Sequence, residues 1–162
     1  MRRLSSTRTG FYKRVFPLLW IGFLTLFFSF SLWARWHPEA VSGTPPDIMF
    51  LLMPAFMAVV GFFIYRRLIA DLVDEAWLDG DWLVVKNRGE KRRVALADVI
   101  NVNATTSTNP RRVTVMLRTE TRFGSEVTFM PATTLGFLSV FKPDPIALEL
   151  IRRVDAARQI AR

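Results

Sequence analysis

Two uncharged apolar runs, joined by a short Pro-rich connection, constrain this chain more than any other feature. Val15 to Ala34 is twenty residues without a charge, and Ile48 to Tyr65 is eighteen. As helices rising 1.5 Å per residue they would measure roughly 30 and 27 Å, close to the thickness of a bilayer's hydrocarbon core. Thr25, Ser29 and Ser31 interrupt the first run; a hydroxyl is tolerable there because it bonds back to the carbonyl one turn earlier. Trp33, Arg35 and Trp36 close that run, and Phe11 and Tyr12 precede it. Amphipathic rings at both ends suit the two membrane interfaces. Pro54 and Gly61 fall inside the second run, and both residue types are commoner in membrane helices than in soluble ones. Pro54 removes a backbone donor and predicts a kink. A cleaved signal peptide is the rival reading of the first run. Its apolar region would be too long, and no small-x-small cleavage pattern follows it.

The charge distribution orients this hairpin. Residues 1–14 hold Arg2, Arg3, Arg8, Lys13 and Arg14 and no acid, and Arg66 and Arg67 end the second run. The connection between the runs is weakly acidic, with Arg35 against Glu39 and Asp47. The excess of Lys and Arg belongs on the cytoplasmic side, so both termini are expected in the cytoplasm and the location is a cell inner membrane, multi-pass. The same bias accounts for much of the net charge of +8, which in a soluble protein would point to nucleic acid; no nucleic acid is expected as a partner.

Several chemistries are excluded outright. Without cysteine there are no disulfides, thiolate nucleophiles or Cys-based metal sites. A single histidine, His37, rules out a His dyad and multi-His metal centres. Asp71, Asp74, Glu75, Asp79 and Asp81 cluster without EF-hand spacing, and read as a solvated strand start with a turn. Neither a G-x-S-x-G elbow nor a phosphate-cradling Gly-rich motif occurs. No catalytic residue, cofactor, metal or small-molecule substrate is therefore assigned, and the chain is read as a non-enzyme.

From Ala70 the texture changes to short apolar runs punctuated by Asp79-Gly80, Arg88-Gly89, Asn109-Pro110 and Phe123-Gly124. These are positions where hairpin turns demand unusual backbone angles. The pattern predicts strands near 75–79, 82–87, 91–96 and 99–105. It also predicts a strand from RRVTVMLRT with Val113, Val115 and Leu117 inward, and another from SEVTFMP with Val127 and Phe129 inward. Asp144 as cap and Pro145 as first residue open a helix over 144–161 with Ile146, Leu150, Val154 and Ala157 on one face. The expected organisation is a basic cytoplasmic tail at 1–14, a transmembrane hairpin at 15–67 with spans about 15–34 and 48–65, and a β domain at 68–162 that folds by itself. The fold class is α+β.

LDGDWLVVKN, VALADVINV, the pair PRRVTVMLRT and FGSEVTFMP, and the closing DPIALELIRRV together resemble the bacterial pleckstrin-homology-like (PH-like) membrane proteins. In these, membrane hairpins precede a small antiparallel β-barrel closed by a C-terminal helix. The resemblance covers about residues 68–160. It implies seven strands where six are visible, leaving 132–141 as the place for a seventh. The function expected of the chain is that of a non-enzymatic, membrane-anchored interaction module on the cytoplasmic face that docks a protein partner or associates with itself. The alternative is an accessory subunit of a membrane transport or secretion complex, packing through the hairpin. Arg66, Arg67, Lys91, Arg92, Arg93, Arg111 and Arg112 are the candidate contacts to anionic lipid headgroups, worth about 1 kcal/mol each near a charged surface. The last five are expected to share one rim of the barrel.

Overall fold

A computed structural model describes residues 1–41, 47–105, 108, 110–121, 123–132 and 143–160. The chain divides into two units: residues 11–70, and residues 1–10 together with 71–162.

The first unit is a helical hairpin. A π-helical turn at Phe11–Val15 leads into helix α1 (Phe16–Trp36). A short helix α2 (Pro38–Val41) follows, and helix α3 (Ile48–Leu68) returns. Asp47 caps α3, its carboxylate accepting from the Ile48 amide at 2.6 Å. Both long helices are long and apolar enough to cross a bilayer. Their outward faces are apolar too, with Leu26 74% and Phe56 69% exposed, which separates them from the core helices of a soluble protein. The buried positions are Leu24, Ser31 and Ala34 on α1 and Pro54 on α3. Seven residues beyond Pro54, Gly61 lies against Trp20; a Cβ on Gly61 would stand 2.5 Å from the indole nitrogen. At the other end of the contact the rings of Phe27 and Phe50 meet edge to face at 5.2 Å. The polar residues of α1 are absorbed as their spacing requires: Thr25 donates to Ile21 O at 2.8 Å and Ser31 to Phe27 O at 2.7 Å. Pro54 is contained within one continuous helix.

The second unit holds seven strands among the described residues. β1 (Arg2–Arg3), β2 (Glu75–Asp79), β3 (Trp82–Asn87) and β4 (Glu90–Ala95) form one antiparallel sheet in that order. A 3-10 turn at Leu96–Asp98 leads to β5 (Val99–Thr105), β6 (Arg112–Thr121) and β7 (Gly124–Phe129), which form a second. Helix α4 (Pro145–Ile160) closes the unit. Asp144 is buried and accepts from the Ile146 amide at 2.9 Å, the capping that the Asp-Pro pair predicts. The core between the sheets is built by Leu78, Leu83, Val85, Val113, Val115, Val127 and Phe129, with Ile146, Leu150 and Val154 from α4. The alternation of β6 and β7 therefore points as the sequence indicates.

Two expectations change. Residues 1–10 do not stand apart as a basic tail. Leu4 lies in the core of the β unit, and β1 pairs with β2, Arg2 opposite Leu78 and Arg3 opposite Trp77. The Leu4 and Ser5 amides donate to Ala76 O at 2.8 and 3.1 Å, and the Ser5 hydroxyl accepts from the Ala76 amide at 2.9 Å. Beyond β1, the Ser6 amide bonds Met130 O and the Ala132 amide bonds Leu4 O, each at 2.8 Å. The segment thus stitches one sheet to the end of the other. The domain boundary moves accordingly, to residues 1–10 plus 71–162. Second, the described strands form two sheets of four and three, and no closed barrel is found among them. The 3-10 turn that replaces the end of the expected 91–96 strand turns the chain out of the first sheet, and α4 packs against that turn and β5. The proposed seventh strand at 132–141 lies, after Ala132, outside the described residues; the seventh strand observed is β1.

Candidate interaction surface

Among the described residues the strands at the sheet edges, β1, β4, β5 and β7, are occupied or shortened to different extents. β2, β3 and β6 are interior to their sheets. β1 is two residues long. The end of β7 is taken up by Leu72, Val73 and Ser5–Ser6: Leu72 bridges Thr128 in parallel, and the Val73 amide bonds Thr128 O at 2.8 Å. β5 carries a register shift between Val99 and Asn101, a bulge that turns carbonyls away from the ladder. Arg158 of α4 takes them, its Nε donating to Val99 O at 3.1 Å and its Nη2 to Val99 O and Ile100 O. Arg158, outside the apolar face of α4, is thus a clasp on the second sheet.

β4 is the longer edge strand of the first sheet: among the described residues its one sheet neighbour is β3, and Glu90, Lys91, Arg92 and Arg93 are all exposed. The β3–β4 turn is Arg88-Gly89, with φ of 50° and 88°. Two positive angles in a two-residue loop define the type I′ turn whose twist matches the flanking strands. Asp74 holds it, accepting from the Arg88 amide at 2.7 Å. Arg88 has a side chain where Asn or Gly is preferred. Arg88→Asn is accordingly expected to raise stability by about 0.5–1 kcal/mol, and Asp74→Ala to lower it by about 1 kcal/mol. Thermal melts of the two variants check both; a drop in stability for Arg88→Asn would contradict the turn geometry.

The candidate headgroup residues are distributed as follows. Arg66 and Arg67 lie in the last turn of α3, in the hairpin unit. Lys91, Arg92 and Arg93 lie on β4 of the first sheet, Arg112 opens β6 of the second, and Arg111 precedes it. The five are divided between the two sheets. Nor are all of them available cations. Arg93 pairs with Asp79 at 2.8 Å. Arg112 pairs with Asp71, its side chain only 15% exposed, and Arg111 is half-buried. Lys91 stands opposite Lys86 across the ladder, two like charges side by side, while Glu75 faces Lys86 from β2.

The acidic residues are dispersed in the same way. Asp71 serves Arg112, Asp74 the turn, Glu75 the Trp77 indole at 3.2 Å, and Asp79 both Arg93 and the Met1 amino group. Among the described residues no three Asp, Glu or His converge on one point. The buried hydroxyls are likewise used locally: Thr9 donates to Ser6 O at 3.0 Å, and Thr114 and Thr128 bond across β6 and β7 at 3.0 Å. Sequence reasoning missed the strand at 2–3, the Arg158 clasp and the open edge of β4. Of these only the last left a signal, a strand whose exposed residues are basic on both faces. Comparison with known proteins finds no matching family model, no matching curated protein and no matching solved structure.

Proposed function

We propose that this chain is a non-enzymatic interaction module held at the cytoplasmic membrane, PH-like in its β unit, that docks a protein partner. One observation carries the reading: the residues before the hairpin and those after it fold into a single unit with Leu4 in its core. A segment that leaves a folded unit and returns to it must end on the side where it began, so two apolar helices imply two crossings. Basic residues flank both ends, Lys13 and Arg14 before and Arg66 and Arg67 after, which supports a cytoplasmic location for that side. Tethering at both ends keeps the unit at the membrane, where high effective concentration makes weak contacts count. Seven strands and a closing helix support the PH-like reading.

Topology is tested with single cysteines, which this cysteine-free chain accepts cleanly. In intact cells an impermeant thiol reagent is expected to label a cysteine at Glu39 and not one at Arg118. The reverse pattern would invert the protein. Crosslinking in native membranes tests the docking, and a captured protein chain is expected.

The second reading is an accessory subunit of a membrane complex that packs through its hairpin. It is favoured by an apolar groove of about 480 Å3 lined by Phe16, Trp20, Leu24, Gly61, Phe62 and Tyr65. Replacing residues 11–70 by a Gly/Ser linker separates the two: a docking β unit keeps its partner, and a subunit packed through the hairpin loses it. Anionic headgroup contact, the accompanying lipid reading, rests on Arg66, Arg67, Lys91 and Arg92. It predicts salt-sensitive binding that rises with the anionic lipid content of the membrane.

A further inference from the structure

Resting on the docking reading, we propose that the open edge of β4 is the docking site, and that its partner is an extended acidic segment of another protein added as a fifth strand to the first sheet. The pairing pattern fixes what that edge offers. The Leu96 amide bonds Asp81 O at 2.9 Å, so the hydrogen-bonded pairs of this antiparallel ladder alternate outward from it. In the observed register they are Leu83 with Val94, Val85 with Arg92 and Asn87 with Glu90. The amides and carbonyls of Lys91, Arg93 and Ala95 then point away from β3, a ladder six residues long without a partner strand among the described residues.

Charge selects the occupant. Lys91 and Arg93 project to one face of the sheet and Arg92 to the other. A second copy of this edge would set Lys and Arg opposite Lys and Arg, and like charges directly across a ladder repel. A lipid surface meets one face only. An added strand presents side chains to both faces, so Glu or Asp at successive positions would meet cations on each. Basic edge strands also serve to resist aggregation, and that role is compatible with admitting an acidic strand. At the bulged start of β5, Arg158 holds the carbonyls of Val99 and Ile100.

The test uses the full chain in nanodiscs of neutral lipid. The probe is an eight-residue peptide with Glu at successive positions in its centre, so that both faces of the strand are acidic, flanked by Val and Thr. Hydrogen exchange of the Lys91, Arg93 and Ala95 amides is expected to slow at least tenfold when the peptide is present. Ala95 already has φ of −67°, the angle that proline requires. Ala95→Pro should therefore preserve the fold and every charge while removing one outward donor and obstructing the edge. Peptide affinity is expected to fall more than tenfold in Ala95→Pro, and equally in Lys91→Glu/Arg92→Glu. Binding without amide protection, or equal affinity for Ala95→Pro, would overturn strand addition. Protection by anionic nanodiscs alone, with no response to peptide, would overturn it in favour of a lipid surface. The wider docking reading has its own readout. If native-membrane crosslinks to a protein persist unchanged in Ala95→Pro, the edge is refuted and docking stands; if no protein is ever captured, docking itself fails.

Discussion

Leu4→Asp is expected to leave the β unit unfolded while the hairpin remains in the membrane. Leu4 is 1% exposed, in the same core as Leu78, Leu83 and Phe129. Truncating a core leucine to alanine costs about 2–5 kcal/mol. A carboxylate at that point adds the desolvation of an unpaired charge, which is several kcal/mol more. A domain of this size has a total stability of about 5–15 kcal/mol, so the sum reaches the whole of it. The same reasoning applies to truncation. Residues 71–162 without 1–10 lose Leu4, the strand that covers β2 and the stitch to Met130 and Ala132. That fragment should be unfolded or aggregated, and fusing 1–10 to residue 71 through a short linker should restore a cooperative melt. Leu4→Met is the control, at under about 1.5 kcal/mol. Limited proteolysis in membranes and the emission of Trp77 and Trp82 report the outcome. A 71–162 fragment that melts at the temperature of the linked form would show that the N-terminal segment is dispensable.

Gly61→Leu is expected to open the helical hairpin. The 2.5 Å separation between a would-be Cβ and the Trp20 indole nitrogen means that any side chain at 61 must displace the Trp20 ring. Overpacking of this kind costs about 1–3 kcal/mol. In a membrane, helix association depends on close packing rather than hydrophobic burial, so that cost acts on most of what holds α1 to α3. Cysteines at Phe27 and Phe50, whose rings meet at 5.2 Å, should react with a short bifunctional thiol reagent in the parent protein. The yield should fall severalfold in Gly61→Leu and recover in Gly61→Leu/Trp20→Ala, because the smaller residue returns the lost volume. An unchanged yield in the single variant would mean that the helices are held together elsewhere.

The consequences for function run through the N-terminal stitch. Because β1 belongs to the same sheet as β4, the sheet whose edge is proposed to dock a partner is completed only by residues on the far side of the hairpin in sequence. The β1–β2 pairing spans the whole of residues 11–70 in sequence, and non-local pairing of this kind is intrinsically slow.

Sequence by itself determined everything that repeats along the chain. The two spans follow from unbroken apolar length, the strands β2 to β7 from alternation and turn residues, and α4 from its cap and apolar face. Each of these is a local property, readable because the period of the side chains is the period of the element. What only the tertiary structure decided is everything that depends on distant partners. A two-residue strand has no periodicity, and Leu4 among Arg2, Arg3, Ser5 and Ser6 is a single apolar residue until Ala76 and Met130 arrive beside it. The charge of Arg2 and Arg3 reads as a topology signal, whereas in the fold Arg2 pairs with Glu149 at 2.5 Å and Arg3 lies 5.3 Å from the Trp77 ring. The same holds for the candidate cations. Sequence proximity grouped Lys91, Arg92 and Arg93 with Arg111 and Arg112, but Asp79 and Asp71 take up two of the five, and strand order puts the groups in different sheets. Charge is written residue by residue; whether a charge is spent inside the fold or left at an open edge depends on which strand becomes its neighbour.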